Sequence, residues 1–176
     1  MSSSLRSLIV IMGVSGCGKS TIGRALAAKN AWPFLEGDRF HPAENIEKMA
    51  SGTPLTDQDR VAWMDGICCA VDAHAAPVLV LACSALTPFV RNRLGQIGRN
   101  LIYAHLKTDS VDMVERLGFR DHFMPAQLLS SQYAALSVPD GAYEFDASKP
   151  ADRIVVQMMD RFIGGPTDMR PPRWNS

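Results

Sequence analysis

Leu8-Ile9-Val10-Ile11-Met12-Gly13-Val14-Ser15-Gly16-Cys17-Gly18-Lys19-Ser20 is the stretch that decides the fold. Its apolar first half reads as a buried strand over residues 7–12, because it lacks the alternation of a half-exposed one. Its second half fits G-x-x-x-x-G-K-[ST]. Glycines let such a loop turn back on itself and point backbone N–H groups inward. A helix is expected from Lys19 to about Asn30, with Ile22 and Leu26 on its inner face, and its N-terminus adds positive potential. Lys19 supplies a point charge for β- and γ-phosphates, and Ser20 a hydroxyl for Mg²⁺. Gly13, Val14, Ser15, Gly16, Cys17, Gly18, Lys19, Ser20 and Thr21 are therefore the expected ATP-binding residues. A helix N-terminus can activate a thiol, so Cys17 is either a small residue chosen for fit, the preferred reading, or a reactive group that ATP would protect.

Working outward, further strands are expected at 32–35, 78–82, 101–106 and 143–146. Pro42 opens a helix reaching about Ala50, and Gly52 and Pro54 break it. Thr56-Asp57-Gln58-Asp59 is a capping-box variant ahead of Val61, Met64, Cys68 and Val71 at helical spacing. A last helix should run from about Pro150 to Phe162. Short buried strands alternating with helices imply an α/β chain: a three-layer P-loop NTPase fold with a mainly parallel five-stranded sheet and a helical lid. One domain is expected over 1–163, with the lid at about 108–139 and an irregular tail over 164–176. Ligands of such sheets collect at the strands' carboxyl ends, so the loops after Met12, Leu35, Ala82 and Leu106 should meet around one crevice.

Composition narrows the partners. The chain has 176 residues, with 18 Lys plus Arg against 18 Asp plus Glu. A net charge of zero provides no general field for nucleic acid or a membrane surface. No apolar stretch is long enough to span a bilayer, and the run before Gly13 is too short for a signal peptide, so a cytoplasmic protein is expected. The four cysteines have neither disulfide nor zinc spacing, and Cys68-Cys69 read as core-facing small residues.

The acceptor chemistry is read from Glu36-Gly37-Asp38, placed where a carboxylate would face the crevice. Asp38 is expected to orient, and to deprotonate, an acceptor hydroxyl. Glu36 is expected to help hold Mg²⁺ through water, with Ser20 as the direct ligand. His41, Asn45 and Lys48 share one helical face, either lining a pocket for a polyhydroxy acid or solvated. Trp63 reads as core. Arg116 and Arg120, four apart, are expected to close on the phosphates and exclude water; surface ion pairing with Glu115 and Asp121 is the bland alternative.

Residues 36–63, Glu-Gly-Asp-Arg-Phe-His-Pro-Ala-Glu-Asn-Ile-Glu-Lys-Met-Ala-Ser-Gly-Thr-Pro-Leu-Thr-Asp-Gln-Asp-Arg-Val-Ala-Trp, resemble the acceptor segment of the thermoresistant gluconokinases. Cys83-Ser84-Ala85-Leu86 resembles that family's next motif, and His122-Phe123-Met124 with Ser131-Gln132 its cover segment. The resemblance implies the NMP-kinase-like P-loop fold, ATP and Mg²⁺, D-gluconate as acceptor, 6-phosphogluconate as product and a homodimer. It also implies that Arg91 and His122 contact the acceptor, and that Asp146 to Pro150 lie near the adenine. The chain departs from the family in three places. Glu36 stands for the usual Asp, Thr87-Pro88 replaces a Lys after Leu86, and one residue is missing before His122. Two other readings stay open: a kinase of another acceptor, such as shikimate, a nucleoside monophosphate or a different aldonic acid, and a nucleotide-binding module without transfer activity.

Overall fold

Successive side chains of β1 (Ser7–Met12) enter opposite layers, and all after Ser7 are buried. Leu8, Val10 and Met12 pack with Met64, Ile67, Val71, Val90 and Leu94. Ile9 and Ile11 pack with Ile22, Leu26, Ile154, Val155 and Met158. A strand apolar on both faces belongs in the middle of a covered sheet. β1 indeed pairs in parallel with strands on both sides, Ile9 standing opposite both Val80 and Ile102. Each fully buried side chain of this kind, Leu8 or Ile67 for example, contributes about 1.5–3 kcal/mol.

The protein is described by a computed structural model over residues 6–109 and 126–162. After β1 come α1 (Lys19–Lys29), β2 (Phe34–Glu36), a 3₁₀ turn (Gly37–Phe40), α2 (Ala43–Ala50), α3 (Asp57–Asp72) and β3 (Val78–Ala82). Then follow α4 (Pro88–Gly95), β4 (Asn100–Lys107), α5 (Ala126–Ala135), β5 (Tyr143–Asp146) and α6 (Ala151–Phe162). The sheet has five strands in the order β2-β3-β1-β4-β5, every pairing parallel. Helices α1 and α6 cover one face and α3 and α4 the other. The three-layer α/β expectation holds.

Local differences have physical causes. β2 begins two residues later than expected, because Asn30 and Ala31 are still turning and Trp32 N–H donates back to Ala27 O at 2.9 Å. α4 has no counterpart in the sequence reading; its 8 residues are too few to display a period. The inner face of α3 is Trp63, Met64, Ile67 and Val71, whereas Val61 and Cys68 are only half-buried. Cys69 is exposed, so the core-facing reading of the cysteine pair fails there.

Candidate active site

The loop after β1 is pressed onto the end of the sheet. Gly13 has φ 143°, and a Cβ there would lie 2.9 Å from both Leu106 O and Cys17 Sγ. Gly18 precedes α1 without any side-chain cap, so the first-turn N–H groups keep their outward potential for an anion. Lys19 is buried, and its Nζ donates to Val14 O at 2.9 Å. Ser15 N–H donates to Gln132 Oε1 at 2.6 Å, joining this loop to α5. Val14 and Cys17 turn their side chains into the core, so these two positions offer only backbone to phosphates. Cys17 is 2% exposed, so the packing reading holds and protection by ATP loses its basis. Ser20 is half-buried at the start of α1, and Thr21 is exposed.

The opposite wall begins at Gly37. A Cβ there would lie 2.5 Å from Ala82 O, so only glycine lets the end of β2 press so close to β3. That approach delivers the exposed Asp38 to the mouth of the cavity holding Lys19. Both charges bear on Cys83 from opposite directions, while burial, the larger effect, pushes its thiol up to about 12. Trp63 is core, as expected, and its indole N–H also donates to Gly37 O at 2.8 Å. Its ring stacks on His41, with centroids 4.4 Å apart and planes at 10°. Burial lowers the His41 pKa against the opposing pull of Asp38, with Arg60 adding to the lowering. His41 is therefore neutral at neutral pH.

The expected His41-Asn45-Lys48 face divides. His41 lines the cavity. Asn45 is buried and its amide donates to Asp59 O at 2.8 Å, while Lys48 Nζ meets Asp59 Oδ2 at 2.6 Å. Thr56 N–H and its hydroxyl donate to the same carboxylate oxygen at 2.7 and 2.8 Å, completing the capping box. The Asp59 carboxyl falls to about 2, chiefly through Lys48 and then Thr56. Asn45 and Lys48 thus fasten α2 to α3 and lie outside the cavity lining. The cation that lines it on this side is Arg60, whose Nη1 also meets Asp57 Oδ1 at 2.7 Å. Arg60 was missed by the sequence reading, although it stands three residues before Trp63 on the same helix face.

Two further expected ligands are engaged elsewhere. Arg91 Nη1 donates to the carbonyls of Ala85, Leu86 and Ser137, and its Nη2 to Ser137 Oγ. It holds the turn after β3, where Ala85 adopts φ 46°, and does not line the cavity. Glu36 accepts from Arg24 Nη2 at 3.2 Å and is also outside the lining. Arg116, Arg120 and His122 lie outside the described residues.

The cavity measures about 560 Å³ and is formed by the loops after β1, β2 and β3 together with α2, α3 and α5. Ser15, Lys19, Asp38, His41 and Arg60 all line it, with Gln132 bonded to the loop and Ile46, Met49, Leu55 and Leu128 supplying apolar wall. The loop after Leu106 opens instead on a second cavity of about 380 Å³, shared with Asp146 and Ser148 after β5. Among the described residues, the four loops expected around a single crevice thus divide between two cavities. Asp146 Oδ1 is engaged with Ser148 N–H and Oγ at 2.9 and 2.6 Å.

A lysine-bearing phosphate loop and a carboxylate lining one cavity are the apparatus of phosphoryl transfer to a hydroxyl, and this chain is a P-loop kinase of small molecules. The family model described as shikimate kinase matches residues 15–131. The gluconokinase of Gluconobacter oxydans (strain 621H) is 43% identical over 135 residues, covering 74% of this chain and 75% of that one. The thermoresistant gluconokinase of Escherichia coli (strain K12) is 41% identical over 142 residues, covering 79% and 81%. The crystal structure of a gluconokinase from Sinorhizobium meliloti 1021 superposes with a TM-score of 0.77 at 38% identity, covering 87% and 89%. The chain belongs to the gluconokinase family.

Proposed function

We propose that this chain transfers the γ-phosphate of ATP to D-gluconate, giving 6-phospho-D-gluconate and ADP. The observation that carries the reading is the lining of one cavity by Lys19, Asp38 and Arg60. Asp38 accepts the hydrogen bond of the acceptor hydroxyl, aims its oxygen at the terminal phosphorus and takes the proton. Lys19 leaves Val14 O to neutralise charge on the phosphates, and Arg60 supplies a cation for the acid's carboxylate. His41, stacked flat on Trp63, offers a neutral ring nitrogen to the polyol. Arg116 and Arg120 are assigned to the transferred phosphoryl and His122 to the acceptor.

The residues present fit Mg²⁺ carried with the nucleotide. No group of three or more His, Cys, Asp or Glu that could hold a metal occurs among the described residues. Mg²⁺ in kinases typically keeps its waters and takes few protein ligands. The Ser20 hydroxyl would hold it directly and Glu36 through water, and the ion would neutralise charge on the phosphate oxygens. A homodimer and a cytoplasmic location complete the proposal; no helix among the described residues is long and apolar enough to cross a membrane.

Shikimate is the main competing acceptor because of the family model, but the solved shikimate kinase of Aquifex aeolicus is only 17% identical, a likeness of fold alone. An acceptor screen decides. ADP release that rises with gluconate is the expected result. Release stimulated only by shikimate or another acid, or not stimulated at all, would overturn the gluconate reading.

A further inference from the structure

We propose that Gln132 contacts the phosphoryl group being transferred, giving up its bond from Ser15 N–H to a phosphate oxygen and turning its own amide N–H onto that oxygen. The inference rests on the kinase reading above. Ser15 and Gln132 line the same cavity as Lys19 and Asp38, so the bond between them belongs to the site where phosphate and acceptor meet. The acceptor it now uses is a neutral amide oxygen from α5, 117 residues further along the chain, at 2.6 Å. A phosphate oxygen is charged, and hydrogen bonds to charged acceptors are about twice as strong as neutral ones. A phosphate arriving at the loop therefore displaces the Gln132 oxygen.

The side chain stays within reach after displacement. α5 is anchored by the buried Leu128 and Leu129 and by the Tyr133 hydroxyl, which lies 2.9 Å from Thr108 Oγ1. The last torsion of glutamine is soft and nearly two-fold. Half a turn about it exchanges the amide oxygen for the amide nitrogen, so the displaced side chain presents a donor to the phosphate oxygen that has taken its place. In the transition state negative charge spreads over the equatorial phosphoryl oxygens. A donor already positioned there stabilises that state more than the ground state. Glutamine can serve both arrangements. Glutamate can only accept, lysine can only donate, and methionine of similar length does neither.

The alternative is a brace that merely ties α5 to the loop, and the two roles order the variants differently. The measurements are kcat and KM for ATP of Gln132→Met, Gln132→Lys and Gln132→Glu at saturating gluconate, each with a melting curve. A phosphoryl contact lowers kcat of Gln132→Met by about 100-fold, with Lys recovering part of the loss and Glu falling lowest. Wild-type kcat in Gln132→Met, or Lys no better than Met, overturns the proposal. If Gln132→Met does not fold, Glu equal to or better than Lys overturns it. Wild-type protein that ignores gluconate would remove the acceptor reading and leave this one decidable by calorimetry. The preference for ATP over ADP should then drop about fivefold in Gln132→Met and less in Gln132→Lys; an unchanged preference overturns it.

Discussion

The two walls of the cavity are built from different materials. The phosphate wall is mostly backbone: a glycine loop held against Leu106 O, an uncapped helix start and one buried lysine. The acceptor wall is mostly side chains carried by α2 and α3, joined to each other through Asp59, whose carboxylate accepts from Lys48 and Thr56 and whose backbone carbonyl accepts from Asn45. A backbone wall is specified by a few contiguous residues and holds its shape locally. A side-chain wall depends on which helix face turns inward, and tertiary packing settles that. The first should therefore fail by loss of chemistry, and the second by loss of fit.

The largest effects test the chemistry. Lys19→Met should lower kcat at least about 1,000-fold, since the charge it supplies acts in a poorly hydrated site. Asp38→Asn should lower it about 100-fold, the scale of a removed general base. Steady-state kinetics on both variants gives the answer. A tenfold or smaller loss in either would mean that the wall concerned is not where transfer occurs.

Next in size is Arg60→Ala. It should raise KM for gluconate at least about tenfold while kcat changes less, as expected for lost ground-state recognition. A neutral polyol tested in parallel should be nearly indifferent to the change. An equal rise for both would place Arg60 in the architecture of the wall and take it away from the acid's carboxylate.

Asp59→Asn probes the fastening itself. Its carboxyl is held down from the usual 3.8 to about 2 by Lys48 and Thr56. A depressed folded-state pKa means stabilisation that is fully present above about pH 4 and is lost as pH falls toward 2. The melting temperature of the wild type should therefore exceed that of Asp59→Asn above pH 4, and the gap should close through that window. KM for gluconate should rise severalfold because α2 carries Ile46 and Met49 into the cavity. A gap independent of pH would dissociate the carboxylate's charge from the fastening.

The same contrast governs what could be read from the sequence. Residues 8–20 yielded the central strand, the loop and α1, because each rests on neighbours in the chain. β3 and β5 fell where expected for the same reason, and the Thr56–Asp59 capping box is local too. Asn45 and Lys48 were placed on the right helix but assigned to the acceptor, since nothing local reveals that Asp59 packs against that face. Arg60 is hidden by the same gap: Trp63 reads as core, but the helical spacing of Val61, Met64, Cys68 and Val71 gives no sign that Arg60 borders a cavity. Arg91 looked like a ligand until the strained Ala85 turn and the carbonyls of Leu86 and Ser137 came within its reach. The bond from Ser15 to Gln132 spans 117 residues and has no local signature at all.

The smallest effect concerns Glu36, at the seam between the walls. Its carboxylate pairs with Arg24, whose guanidinium also lies over the Phe34 ring, 4.6 Å from its centroid. The Arg24 side chain is 55% exposed, so the pair contributes at most about 1 kcal/mol. Arg24→Ala should leave kcat within about twofold of wild type, as surface substitutions away from the chemistry do. The useful readout is the Mg²⁺ dependence. Removing Arg24 frees the carboxylate, so the Mg²⁺ concentration for half-maximal rate should fall if Glu36 serves the metal through water. Glu36→Gln should raise it. An unchanged Mg²⁺ requirement in both variants would leave Glu36 as a partner of α1 alone, and the metal would then belong entirely to the phosphate wall through Ser20.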